Sequence, residues 1–423
     1  MRMLSAREAS ALASPGDTVY VAGCCGEPGV ILDTVAGEPH LWRDVTLVGA
    51  FIPGVNERDL ASIGTNTKVE TIFATHGLRR SPHAARVRHL PFHYSEFQRY
   101  LAEPGTVQVA YMQVPPPAGD GTVSFGVAAD FSPALVSGHA RLVGIVNPAM
   151  PDPPHAVRVP AGRFEGFVEA ETPLLQYDAG PLDEATEAIG RAIAALLRPG
   201  DTLQLGLGKV QAAVLRNLDG TRDLGFHGGM ISTPILAPLR QGVFSRGVVT
   251  GVALGSPELY REVRDNPAIR FSPVVLTHAF HTLANTRQFV SVNSVIEVDL
   301  HGQANAETVG GSQISGQGGL VDFVRGARAS TGGRSILALS STAGRGRHSR
   351  IVPALAPGTP VAVTRADVDL VVTEHGVADL RHADLEERAA RLIAVAAPQF
   401  RQTLAEQWRN GPGGRRNPQI PQG

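Results

Sequence analysis

Apolar and polar positions change period repeatedly along the chain, and each change marks a predicted element. In residues 199–232, Leu203 and Leu205 alternate with Thr202 and Gln204 as in a strand. Gly206 and Gly208 then punctuate a turn, and Ala212, Ala213, Leu215 and Leu218 recur at helical spacing. A second short strand, 224–226, runs into His227-Gly228-Gly229. This order predicts a βα unit whose helix start aims peptide N–H groups at a bound anion and whose sheet meets ligands at its carboxyl edge.

The same order occurs earlier. Pro15-Gly16-Asp17-Thr18 followed by VYVAGCCGEPGVILDTV parallels Pro199-Gly200-Asp201-Thr202 followed by LQLGLGKVQAAVL. Two copies predict two tandem, similar α/β domains, open sheets flanked by helices, with a site between them. In the first domain, 1–180, strands are expected at 45–51, 69–74, 107–113, 122–127 and 141–147, and helices at 4–13, 95–102 and 132–138. Pro-rich segments at 114–117 and 148–160 interrupt the pattern, and 164–178 reads as an extended link. The second domain, 181–408, opens with a helix at 182–197 and carries later strands at 247–253, 270–276, 289–300, 335–339 and 368–373. Leu385, Ala389, Leu392, Ile393 and Ala396 line one face of a closing helix that Pro398 breaks, and 409–423 reads as a disordered tail.

Composition narrows the function classes. With 423 residues and 43% hydrophobic side chains the chain has ample material for buried cores, and a formal charge of −1 points to no nucleic-acid partner. Cys24 and Cys25 are adjacent, so they suggest no secretory disulfide framework, and a reduced cytoplasmic setting is expected. The N-terminus lacks a long apolar core, and no run reaches the ~20 apolar residues of a membrane span.

Candidate chemistry follows from residue type and spacing. Gly206-Leu207-Gly208-Lys209 has Gln211 where a dinucleotide fingerprint needs its third glycine, and Val210 spoils a P-loop. Pro91 separates His89 from His93 and disfavours the helix that would align them on a metal, so no metal is expected. Cys24 and Cys25 are either nucleophiles or small buried apolar residues. Gly316-Gln317-Gly318-Gly319, at the head of a helix over 320–326, offers N–H groups without Cβ obstruction and suits an oxyanion or a phosphate.

Several longer motifs occur together: SVNSVIEVDLHGQANAE (291–307), SGQGGLVDFVRGA (315–327), SRIVPAL (349–355), and VVTEHGVADL followed by ERAARLIAVAAPQFR (371–401). This set resembles the acetyl-CoA hydrolase/transferase family, especially its 4-hydroxybutyrate CoA-transferases, and the resemblance runs from PGDTVYVAGCCGEP to Phe400. It implies two CoA-transferase-type domains, a coenzyme A thioester as substrate, no permanently bound cofactor and a homo-oligomer. It also implies a glutamate on the stretch written here as LGFHGGMIS, which attacks the thioester and then carries CoA; Gly229 stands at that position. Where the family places an active-site Asn, after a strand of the PVVLTHAF type, this chain has His278. The turn Gly316 to Gly319 corresponds to the family's oxyanion-binding turn, Glu374 to an active-site carboxylate, and Gly206 and Gly208 are expected at the CoA.

Glycine has no carboxylate with which to form an anhydride, so covalent transfer through position 229 itself is chemically excluded. The expectation is an enzyme that passes the acyl group from CoA directly to water or to a small amine, alcohol or other acceptor. His278 is expected as base, with Glu374 orienting or charging its ring if the two meet. Three alternatives stand beside it. His278 could be a neutral, hydrogen-bonded replacement for the Asn; Glu27, Glu297 or Glu307 could serve as a displaced nucleophile in ordinary CoA transfer; or the protein could bind CoA esters without catalysis.

Overall fold

Alternation along a single strand sends Val19 and Val21 to one face and Tyr20 to the other, and the two faces enter different cores. The computed structural model describes residues 1–411. In the first half, β1 (Thr18–Val21), β2 (Thr46–Gly49), β3 (Lys68–Thr71), β4 (Val87–His89), β5 (Val109–Val114), β6 (Arg141–Val146) and β7 (Phe164–Glu169) pair in parallel. Their order across the seven-stranded sheet is β4-β3-β2-β1-β5-β6-β7.

The second half repeats this winding. β8 (Thr202–Leu205), β9 (Gly225–His227), β10 (Val248–Thr250), β11 (Ile269–Phe271), β12 (Phe289–Ser294), β13 (Arg334–Ala338), β14 (Leu370–Thr373) and β15 (Gly376–Asp379) form an eight-stranded sheet, ordered β11-β10-β9-β8-β12-β13-β14-β15. Only β15 runs antiparallel. In each half the first strand is central, the next three step outward on one side, and the later ones step outward on the other. The Pro-Gly-Asp-Thr repeat thus begins equivalent strands of two similar domains.

The repeated aspartate has a matching structural task in both halves. Asp17 accepts the Ser14 N–H at 2.9 Å, and Asp201 accepts the Arg198 N–H at 2.7 Å, so each carboxylate closes the turn before its strand. Each also meets an arginine at the head of an equivalent strand, but in different surroundings. Arg141 of β6 lies 3.7 Å from Asp17 with both side chains partly in solvent. Arg334 of β13 grips Asp201 through two bonds of 2.6 and 3.2 Å, with side-chain exposures of 7% and 0%.

Parallel sheets need cover on both faces. Ile31, Leu32 and Val35 of the helix Gly29–Gly37 cover the outer face of the first sheet together with Trp42. The outer face of the second meets Ala389 and Leu392 of the helix Leu385–Ala394 and Leu404 and Trp408 of the helix Pro398–Asn410. The remaining faces share one core, to which Tyr20, Val48 and Met112 contribute from one sheet and Leu203, Val248 and Ile336 from the other. Each large side chain enclosed this way contributes about 1.5–3 kcal/mol relative to exposure.

Several sequence expectations are corrected. Residues 164–178 are not only a link, because Phe164–Glu169 is the edge strand of the first sheet. The run 270–276 splits after Phe271, and Val274–Thr277 forms a helical turn; the intervening Pro273 cannot donate to a sheet and starts the turn instead. Thr122–Ser124 pairs with Arg158–Pro160 in a separate two-stranded antiparallel sheet, outside the main one. The strand Val87–His89 was not anticipated. Pro398 does not end the closing helical region but begins another helix, since its missing N–H costs nothing in a first turn. That helix includes Arg409 and Asn410, assigned above to a disordered tail; 412–423 lie outside the described residues. No helix among the described residues is long and apolar enough to cross a membrane.

Candidate functional site

The carboxyl ends of β8, β9 and β12 open onto one cavity of about 370 Å³. Strand order reverses direction at β8, the place where open α/β sheets leave room for a ligand. The second half supplies Gly206, Gly229, Asn293 and the turn Gly316 to Gly319, while Tyr94 and Asp130 come from the first. A wider hollow of about 600 Å³ beside Arg240 and Arg261 is open and charged, and Arg240 is already paired with Glu258 and Glu262.

Close contacts join the two halves at this cavity. The Tyr94 N–H donates to the Gly318 carbonyl at 3.1 Å, and Ser95 Oγ donates to Asp322 at 2.6 Å. A side chain on Gly316 would collide with the Ile72 carbonyl oxygen, so only glycine lets the turn press against the first half. Among the described residues, the N–H groups of Gln317 and Gly319 donate to no protein acceptor, which leaves them free for an oxyanion. Gly206 lies on the wall with open space over its Cα, whereas Gly208 is set back and faces Gln211. Gln211 reaches Ser294 Oγ at 3.1 Å, and Asn293 donates to Gln204 at 3.1 Å, so the floor is a polar network.

His278 ends the turn Val274–Thr277, and its ring lies between Tyr94 and Phe323, with centroids 4.8 and 4.4 Å away. Thr277 Oγ1 is 2.9 Å from Nδ1. His227 Nε2–H donates to the Thr277 carbonyl at 3.0 Å and steadies the same residue from behind. The opposite edge of the His278 ring faces the two glycines. A Cβ on Gly229 would lie 3.0 Å from Cε1 and 3.2 Å from Nε2, with nothing else within 4 Å, and one on Gly319 would lie 2.5 Å from Nε2. The imidazole therefore borders the space that a side chain at 229 would enter.

Two expectations for His278 need correction. Burial, with His227 as a smaller contribution, pushes its pKa down to about 3, so the ring is neutral at physiological pH. A base works best with a pKa near the working pH, so the ring is poorly suited to proton acceptance. Glu374 does not charge or orient it. Its carboxylate accepts Ser341 N–H at 2.8 Å and Ser341 Oγ–H at 2.6 Å, and it is not on the cavity wall. Glu374 follows β14, four strand spacings from β9, roughly 19 Å across the sheet.

The displaced-nucleophile candidates are also engaged elsewhere. Glu27 is held by Asn56 at 2.8 Å and Arg58 at 2.9 Å, and Glu297 by Asn305 at 2.9 Å. Glu307 lies behind the glycine turn, where Gln317 donates to it at 2.9 Å and Gln313 at 3.1 Å. Burial alone would raise its pKa, but hydrogen bonds from His89, Gln317 and Gln313 outweigh that and hold it below the usual carboxylate range. The thiols are buried and pushed up, Cys25 to about 12, which makes them packing residues. Iodoacetamide at neutral pH should therefore leave the native protein unmodified and alkylate both cysteines only after unfolding; rapid native alkylation would refute their burial.

The sequence expectations did not include Tyr94, Phe323 or Asp130. For Asp130 a signal exists, a lone acid inside the apolar run FGVAADFSPAL. Tyr94 and Phe323 read as ordinary core residues, and only their meeting around His278 gives them a place in the site.

Comparison with known proteins matches residues 1–154 to the acetyl-CoA hydrolase/transferase N-terminal domain and residues 255–408 to the C-terminal domain. The chain is 32% identical to the 4-hydroxybutyrate coenzyme A transferase of Clostridium kluyveri over 417 residues, 96% of this chain and 97% of that one. Its fold matches the crystal structure of RipA from Yersinia pestis with a TM-score of 0.89 at 28% identity, covering 97% of each chain. The 4-hydroxybutyrate CoA-transferase from Porphyromonas gingivalis matches with a TM-score of 0.80 at 32% identity, again over 97% of both chains.

Proposed function

Because the chain belongs to the acetyl-CoA hydrolase/transferase family, we propose that it binds an acyl-CoA thioester in the cavity between its halves and passes the acyl group directly to a small acceptor. Water, an amine, an alcohol or another small nucleophile would serve, and no enzyme-bound CoA forms. The observation that carries this is the pairing of Gly229 with His278: no carboxylate reaches the thioester from position 229, and an imidazole edge faces the space there. The attacking atom then comes from the acceptor itself.

The residues around the cavity suit such a step. The N–H groups of Gln317 and Gly319, on the cavity wall and without a protein acceptor among the described residues, would receive the negative oxygen that develops when a thioester carbonyl is attacked. Neutral His278 offers Nε2 as a hydrogen-bonding atom on the same wall, and Tyr94 and Phe323 keep water from its faces. CoA is a substrate in this scheme, and no tightly bound cofactor takes part.

The test combines free-thiol detection with intact-protein mass spectrometry during incubation with acetyl-, propionyl- and butyryl-CoA. Free CoA should appear while the protein mass stays unmodified. An adduct of CoA mass on any Asp or Glu would overturn direct transfer and restore double displacement through a displaced carboxylate. Binding of these esters without any release of CoA would instead make the protein a non-catalytic CoA-ester binder.

A further inference from the structure

We propose that Asp130, contributed by the N-terminal half, is the group that takes the proton from the attacking acceptor. This rests on the direct-transfer scheme above, which needs a proton acceptor and finds none in His278. Among the described residues lining the cavity, Asp130 is the only one that carries a charge at neutral pH.

Its position follows from a missing side chain on the neighbouring strand end. The point where a Cβ on Gly251 would sit is 3.4 Å from Asp130 Cβ and 2.9 Å from the Gly229 carbonyl oxygen, so Gly251, having no side chain, is all that lies between Asp130 and the Gly229 segment. The Asp130 carbonyl also accepts the Val274 N–H at 3.0 Å, and that bond starts the turn ending in His278. One residue of the first half thus lines the same cavity as Gly229 and His278 and anchors the start of the turn that carries His278.

The carboxylate is uncommitted. Among the described residues no side chain bonds to it and no cation pairs with it; only its own N–H and that of Phe131 favour its charged form. The titratable groups that feel its charge are Tyr20 on β1, Cys24 and Cys25 in the turn that follows, and Tyr94, while His278 lies on the same cavity wall. Burial pushes both phenols and both thiols up, with the charge of Asp130 adding to it, and pushes His278 down, so every one of them is neutral at pH 7. With burial dominant, Asp130 itself is pushed up to about 6, a value at which a carboxylate is ionised at neutral pH yet basic enough to accept a proton.

The step balances without further reagents. The acceptor's X–H proton moves to Asp130 as X bonds to the thioester carbonyl carbon. The C–S bond then breaks, and the proton passes from Asp130 to the departing CoA sulfur, so acyl-CoA and HX give acyl-X and free CoA.

The experiment measures free-CoA release from acetyl-, propionyl- and butyryl-CoA across pH 4.5–8.5 for the wild type, Asp130→Asn, Asp130→Glu and Asp130→Ala. Wild-type kcat/KM should fall as the pH drops through about 6. In Asp130→Asn, kcat should fall by about 10²- to 10³-fold and that acidic limb should vanish, while CoA affinity by calorimetry changes less than about threefold. Asp130→Glu should keep the limb with partial activity, and added formate should recover part of the activity of Asp130→Ala. Removing an uncompensated charge should leave the melting temperature of Asp130→Asn at or above that of the wild type, which separates lost chemistry from lost folding.

Asp130→Asn turnover within tenfold of the wild type, with the same acidic limb, overturns this role and leaves direct transfer standing. A CoA adduct on Asp130, or a wild type that binds these esters but never releases CoA, overturns both.

Discussion

Gly229→Glu alone should lower thioester turnover by about 10²-fold or more and yield no CoA adduct, whereas Gly229→Glu/His278→Asn should form one. The new Cβ would lie 3.0 and 3.2 Å from the His278 ring, closer than a side chain comfortably sits. That ring is clamped between Tyr94 and Phe323 and cannot swing aside without disturbing a close-packed wall. The glutamate must therefore turn into the space proposed for the acceptor, where it excludes the acceptor while the ring keeps its carboxylate off the line of attack on the thioester carbon. Replacing the imidazole with the smaller Asn opens the route. Intact-protein mass spectrometry after incubation with acetyl-CoA decides the matter. Equal adduct in the single and double variants would show that the ring does not govern this space, and no adduct in a folded double variant would show that position 229 does not face the thioester.

The largest loss of stability should come from Asp201→Ala, about 3–5 kcal/mol, because it strands the Arg334 guanidinium in the core. Asp201 also accepts the Arg198 N–H, so the turn before β8 loses its closure in the same change. Asp17→Ala removes the equivalent residue of the first half but should cost only about 1 kcal/mol, since its pairing with Arg141 is longer and partly in water. Asp201→Ala combined with Arg334→Met should recover much of the loss, because no unpaired charge then stays buried. Urea unfolding curves measure all three, and equal destabilisation by the two aspartate changes would refute the role assigned to burial.

These two cases also mark what the linear chain determines. The Pro-Gly-Asp-Thr repeat and the period-two alternation of the strands were sufficient for two similar α/β halves, because strand faces and turn closure depend on neighbours a few residues away. The turn Gly316 to Gly319 was legible for a similar reason, since what it can do depends on the absence of side chains, whereas position 229 drew notice only through the family resemblance. Ionisation was not legible. The sequence presents His278 as an ordinary imidazole near neutral pKa, and its depression to about 3 comes from burial by Tyr94 and Phe323, residues far away along the chain.

Spatial assignment failed in the same way for the carboxylates. Glu374 and Asp130 are both single acids beside apolar runs, and nothing local distinguishes them. Strand order puts Glu374 at β14, away from the cavity, while the packing of the first half on the second brings Asp130 onto the wall that Gly229 also lines. Local pattern determined the two domains, and the family resemblance alone pointed to position 229. Only the tertiary structure decided which acid faces the cavity and which base is neutral, because burial and distance between charges are properties of residues brought together from both halves.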